Sequence, residues 1–238
     1  MEKQRAMIGW LLVLALLSGV SSMGQELAAD APAEIQQEVK YVALTFDDGP
    51  RRTTTTQLLD GLQQRGASAT FFLVGEQIEA NRDLVERMRA EGHQVGNHTW
   101  SHVRIQGAPA ETVALEIRRT DELLQQILGE GAYWLRPPYG QIDAAQKKQI
   151  PVPMVQWSVD SRDWESKNTE KVVQAVLRDV QPNSIILLHD IYPTSVEAAL
   201  RIVDTLQAEG YWFVTVEELL HLNGIVPQSG VLYRSGKG

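Results

Sequence analysis

The sequence predicts an α/β fold, with parallel strands forming a closed or nearly closed barrel and helices outside. Three observations carry this. Apolar, β-branched runs of strand length alternate with amphipathic helical stretches about seven times. The strand runs are continuously apolar, as in sheets buried on both faces. Polar, chemistry-bearing residues cluster at the C-terminal ends of those runs, where parallel barrels build their sites. A doubly wound open sheet is the alternative arrangement.

Tyr41–Phe46 reads as the first buried strand, ending in Asp47-Asp48 before the Gly49-Pro50 break. Thr53–Thr56 predicts a threonine-capped helix that ends near Gly66. Ala69–Val74 is a second strand, and Asn81 is expected to cap a helix closed by Gly92. Gln94–Asn97 is a short strand, and Pro109–Leu128 is a long helix stopped by Gly129. Strands are expected at Tyr133–Leu135 and Val152–Val159, with at most a short helix at Asp143–Gln149. Helix Thr169–Val180, strand Ser184–Leu188, helix Thr194–Ala208, strand Trp212–Val216 and a last helical turn Glu217–Leu220 complete the pattern.

Composition narrows the chemistry. With 238 residues and 43% hydrophobic content the chain can build one sizeable domain. A net charge of -8 argues against a nucleic-acid partner. No cysteine is present, so disulfides, thiolate metal sites and a cysteine nucleophile are excluded and His and carboxylate remain as ligands. Lys3 and Arg5 precede an apolar run, Ala6–Leu17, and then small residues. Residues 1–24 therefore read as a signal peptide, cleaved before Gln25 or kept as an anchor. The run is short for a membrane span, so no stable insertion follows signal removal, and the domain is expected to act outside the cytoplasm as a monomer. Residues 25–39 read as a flexible leader, 40–222 as the domain and 223–238 as a C-terminal tail.

His98 and His102 stand four apart in HTWSH; on a helix their imidazoles would share one face and one metal. A carboxylate from Asp47 or Asp48 completes a two-histidine, one-carboxylate set with open positions, and the other aspartate is free to act as a base. Zinc is the expected ion; cobalt or another divalent ion suits the same ligands. His189 follows an apolar strand, sharing a side with Leu187, which suits a general acid beside a small apolar pocket. Asp163 would hold that imidazole charged, and Trp164 would add apolar wall. Asp160 reads best as a turn cap. Arg136, in RPPYG, reads as an orienting partner for a carboxylate, and Tyr139 is the first loop residue after two prolines with an N–H to donate. His93 and His221 read as surface residues, and Trp100, Trp157 and Trp212 as core.

TFDDGP, HTWSH, RPPYG, DSRDW and LLHD, in this order, resemble the NodB-homology polysaccharide deacetylases, carbohydrate esterase family 4, from about Tyr41 to Leu220. The resemblance implies a distorted (β/α)₇ barrel and metal-dependent hydrolysis of N-acetyl, or O-acetyl, groups on a polysaccharide such as peptidoglycan, a chitin-like polymer or an exopolysaccharide. By motif, it makes Asp47 the general base, oriented by Arg136, and Asp48, His98 and His102 the metal ligands. Tyr139 supplies an oxyanion-hole N–H, Asp163 tunes His189 as general acid, and Trp164 and Leu187 line the acetyl pocket. The short connection from Gly140 to Val152 departs from the pattern and puts one barrel helix in question. Competing readings are an Fe(II) oxygenase, a glycan-binding relic without activity, and an amidohydrolase for a non-sugar amide.

Overall fold

The computed structural model describes residues 39–238. The expected signal segment, and the expected leader up to its last residue, lie outside the described residues. Strand β1 (Lys40–Asp47) is central, because it pairs along both edges. Its residues Ala43–Asp47 pair with β6 (Ile185–His189), and Thr45–Asp47 pair with β2 (Thr70–Leu73) on the opposite edge. β2 continues to β3 (Gln94–Asn97), and β6 to β5 (Val159–Asp160). The first three residues of β1 pair with β7 (Tyr211–Phe213). Beyond β3, Leu135 bridges to Asn97 and to Met154, which leads to β4 (Met154–Val155) and its partner β8 (Leu232–Tyr233). Every strand-to-strand pairing is parallel. The strands therefore run β5-β6-β1-β2-β3 and, through the Leu135 bridges, on to β4-β8 around a distorted barrel; among the described residues one antiparallel bridge, Ser184 to Ser235, ties the chain end back to the base of β6.

Alternation along β1 divides the core. Val42, Leu44 and Phe46 pack outward in the largest apolar cluster, with Leu58, Leu59 and Leu62 of α1 (Arg52–Arg65) and with Ala199, Ile202 and Val203 of the later helix Pro193–Ala208. Ala43 belongs to a second cluster with Phe72, Trp134, Val155 and Ile185. Period two then puts Thr45 and Asp47 on that same inner face. The remaining helices in chain order are α2 (Gly75–Ile78), α3 (Arg82–Ala90), α4 (Ala110–Leu128), α5 (Ala144–Lys147), α6 (Asp163–Ser166), α7 (Thr169–Asp179), α8 (Pro193–Ala208) and α9 (Val216–Leu222).

Several elements differ from expectation. α1 starts at Arg52, so the threonines lie inside its first turns and no side chain caps it; Thr55 Oγ1 instead accepts the Arg51 N–H at 2.8 Å. Asn81 precedes α3 but donates to the Gln77 carbonyl rather than capping. Tyr133–Leu135 contributes only the bridging Leu135, with Asn97 bonded to the Trp134 carbonyl and the Arg136 N–H, and the two prolines after Arg136 offer no N–H to extend the ladder. Val152–Val159 is broken into β4 and β5 because the chain changes partner: Gln156 N–H still bonds the Tyr233 carbonyl of β8, whereas Ser158 N–H bonds the Ile185 carbonyl of β6. The segment read as a tail supplies β8. The doubtful helix after Gly140 is one turn, α5, closed by an Asp143–Gln146 capping box. Among the described residues no helix is long and apolar enough to cross a membrane.

Candidate active site

Asp47 ends β1 on the inner face, where it is 3% exposed. Burial alone would push its carboxyl up, but Arg136, His98 and His189 together hold it below its usual range. Arg136 is fully buried and donates from Nη1 to Asp47 Oδ1 at 2.7 Å and to Thr45 Oγ1 at 2.8 Å. Its other guanidinium nitrogens meet the Val155 and Gln156 carbonyls, and Phe72 lies 4.2 Å beneath its plane. The break between β4 and β5 thus leaves two carbonyls free for this arginine.

Asp48 turns out of the strand at φ 72°, a left-handed conformation that a non-glycine residue holds only when its surroundings fix it. His98 donates from Nδ1 to the Arg136 carbonyl at 2.7 Å, which leaves the Nε2 lone pair free. That Nε2 lies 3.6 Å from Asp48 Oδ1 and 3.6 Å from Asp47 Oδ2. His102 Nε2 is 3.4 Å from Asp48 Oδ1. Burial and the neighbouring His98 push the His102 imidazole toward its neutral form, against the pull of Asp48. Asp48 Oδ1 is buried with no hydrogen-bond partner, and one ligand atom each from Asp48, His98 and His102 all fall within 4.8 Å of one another. Three converging acceptors, with no donor among them, fit a divalent cation. HTWSH is not helical, however: Thr99 and His102 both have positive φ, and the rings meet, centroids 4.9 Å apart, because the loop doubles back.

His189 ends β6 opposite this cluster. Its Nδ1 meets Asp163 Oδ1 at 2.8 Å, and its backbone N–H donates to Asp163 Oδ2 at 2.7 Å. Ser195 Oγ and the Trp164 N–H also donate to that buried carboxylate. Burial works against the imidazolium, but hydrogen bonding and charge from Asp163, with the charges of Asp47 and Asp48, raise its pKa to about 9. Tyr139 sits at φ 60°, and its N–H has no hydrogen-bond partner among the described residues. Its ring stands edge-on to His102, centroids 4.8 Å apart.

A cavity of about 390 Å³ joins these groups. Asp47, Asp48, His98, His102, Tyr139, Trp164, Leu187 and His189 line it, while Arg136 and Asp163 stand behind, fully buried. All ten residues singled out in the sequence are therefore brought together. Leu187 is 3% exposed and Trp164 48% exposed, so one makes floor and the other rim. A larger cavity, about 510 Å³, opens between α4 and the segment after α5, away from the converging groups.

Other residues lay beyond the sequence reading. Trp157, expected in the core, lines the cavity, and Trp212, also expected there, is 66% exposed. His93, expected on the surface, is buried against Phe71, accepts the Ala69 N–H at 3.1 Å and is pushed down to about 4 by burial. Asp160 does accept the Arg162 N–H at 2.9 Å, in a turn, yet also lines the cavity. Asn97 anchors the histidine loop, accepting the Thr99 N–H and donating to Asp121 and to the Ile117 carbonyl. Asp190 is fully buried, accepts from Thr55 Oγ1, and fills the space a Cβ on Gly49 would need; burial first, and Asp48 after it, push it up to about 7. LLHD and DDGP signalled Asp190 and Gly49 separately, but nothing in their spacing shows that they meet.

A parallel α/β barrel, with a histidine–carboxylate cation cluster at its C-terminal strand ends facing a charged histidine, defines a metal-dependent hydrolase class of site. The family pattern described as polysaccharide deacetylase matches residues 34–150. The peptidoglycan-N-acetylmuramic acid deacetylase PdaC of Bacillus subtilis is 38% identical over 180 residues, which cover 76% of this chain and 38% of that protein. The solved structure of the T48 deacetylase with substrate is 40% identical, with TM-score 0.78, covering 82% of this chain and 96% of that one. A family 4 acetyl xylan esterase from Clostridium thermocellum, in complex with a cobalt ion, is 32% identical with TM-score 0.78, covering 82% and 98%. This chain belongs to the polysaccharide deacetylase family. It spans about two fifths of the length of the Bacillus subtilis relative.

Proposed function

We propose that this chain hydrolyses acetyl groups from a polysaccharide, releasing acetate and a free amine or hydroxyl, with peptidoglycan or a chitin-like N-acetylglucosamine polymer as substrate. The observation that carries the reading is the cavity itself: a cation-fitting cluster on one side, a charged histidine on the other, and Asp47 between them. Asp48, His98 and His102 would hold the ion, with zinc the expected occupant. Bound there, it would supply Lewis-acid polarisation of the acetyl carbonyl and acidify water.

The chain's own groups do the rest. Asp47, kept ionised by Arg136, takes a proton from the attacking water. Arg136 fixes which carboxylate oxygen is free, because it occupies Oδ1 and leaves Oδ2 facing the cavity side. The unpartnered Tyr139 N–H donates to the carbonyl oxygen as negative charge develops there. His189 is locked by Asp163 through Nδ1, so Nε2–H is the proton available to the leaving nitrogen. Leu187 and Trp164, which line the cavity, would form the apolar wall against the acetyl methyl group. Export through residues 1–24, action outside the cytoplasm, and a monomeric domain that includes β8 and so runs from residue 40 to 238 belong to the same proposal.

The test is acetate release from peptidoglycan, chitin oligomers and acetylated xylan by the purified chain. Release from one or more of these supports the reading and names the polymer. Zinc binding with no release from any would favour a glycan-binding role or a different acyl substrate.

A further inference from the structure

Two cations stand near the cavity, each over an aromatic ring beside a histidine that lines it. Arg104 is exposed, and its guanidinium lies 4.7 Å from the Tyr139 ring centre. That ring in turn stands edge-on to His102, on the side of the site that fits a cation. Lys167 is exposed, and its Nζ lies 5.2 Å from the Tyr192 ring centre. That ring is 6.3 Å from His189, on the opposite side. Each cation is therefore one aromatic ring away from one wall of the cavity. Neither has a carboxylate partner among the described residues; Arg104 binds only the neutral Gln141 amide. Of the nearby acidic groups, Glu165 pairs with Arg162 at 3.2 Å, Asp160 accepts the Arg162 N–H, and Asp47 and Asp48 face the histidines inside the cavity. In a chain of net charge -8, these are two cations without a carboxylate partner, one beside the His102 side of the site and one beside the His189 side.

We infer that the site selects an anionic glycan, one bearing carboxylates on the sugars that flank the acetylated residue, over a neutral polymer. The inference rests on the deacetylase reading. Stacking holds each cation in place while leaving its charge outward, so a polymer laid across the cavity meets positive charge on both sides. Neutral chitin or xylan gains nothing from this arrangement, whereas a muramic acid or uronic acid carboxylate does.

The experiment compares glycan strands containing N-acetylmuramic acid with the same strands after conversion of their carboxylates to amides, using the zinc-loaded chain. The expected result is a kcat/KM about threefold to tenfold higher on the carboxylate strands, the range of one or two exposed ion pairs. That advantage should shrink as salt is raised, although the net charge of the whole chain would give the opposite salt trend. In the double variant R104Q/K167Q the ratio between the two strands should fall to about one. R104K/K167R should retain it, which separates charge from packing. Equal rates on both strands, or a rate on the carboxylate strands that rises with salt, would overturn this proposal alone. No acetate from either strand would overturn the deacetylase reading along with it.

Discussion

Asp163 accepts from both the ring and the backbone N–H of His189, as well as from Ser195 and Trp164, so the charge state of His189 depends on it. A general acid works only while it holds its proton. With His189 near 9, activity should be present below that pH and lost as pH rises through it. Asp163→Asn removes the negative charge, so the alkaline limit should move down toward the ordinary histidine value of about 6.5, and kcat should fall about 10–100-fold. A pH–rate profile checks this, and an unmoved alkaline limit would show that His189 is not the acid. Arg136 behaves differently, because both it and Asp47 are buried. Arg136→Met should leave an uncompensated carboxylate and cost about 3–5 kcal/mol of stability, read by denaturant unfolding. These ten residues were legible in the sequence because each follows a strand-like run or a rigid turn. What spacing left open was which aspartate meets the histidines: Asp48 Oδ1 lies near both imidazoles, whereas Asp47 Oδ1 is taken by Arg136.

Elements were legible where apolar periodicity was long, as in α1, α4, α7 and α8, and where strands carried several β-branched or aromatic residues, as in β1, β2 and β6. They were not where one residue makes the only ladder contact, as Leu135 does, or where pairing comes from afar, as β8 pairs with β4. His93 at the α3–β3 junction was misread because local polarity says nothing of the Phe71 ring and the Ala69 N–H that receive it. Since its folded pKa, near 4, lies below the unfolded value near 6.5, its neutral form stabilises the fold. That contribution is present above about pH 6.5 and lost as pH falls toward 4, and amounts to about 3 kcal/mol. His93→Gln should therefore reduce the difference in unfolding free energy between pH 7 and pH 4; an unchanged difference would show that His93 does not titrate this way. Deleting residues 229–238 removes β8 and the buried Tyr233 and bares the edge of β4, so Tm should drop by several degrees in a thermal melt.

At the scale of the whole molecule, the strand ends of β1, β3, β5 and β6, with the RPPYG loop, bring every reactive group to one side of the barrel. This placement follows from parallel strands, whose C-terminal ends all point the same way. The central claim is that Asp48, His98 and His102 hold a divalent ion while Asp47, beside them, acts on water. The measurement that tests it most directly is acetate release by the chelated chain as zinc is titrated back, with wild type and Asp47→Asn compared and bound zinc determined in both. Release by the wild type should return in step with about one zinc per chain. Asp47→Asn should bind zinc as well as the wild type does but release acetate at least about 100-fold more slowly. Full activity without a bound ion, or an Asp47→Asn variant as active as the wild type, would contradict it.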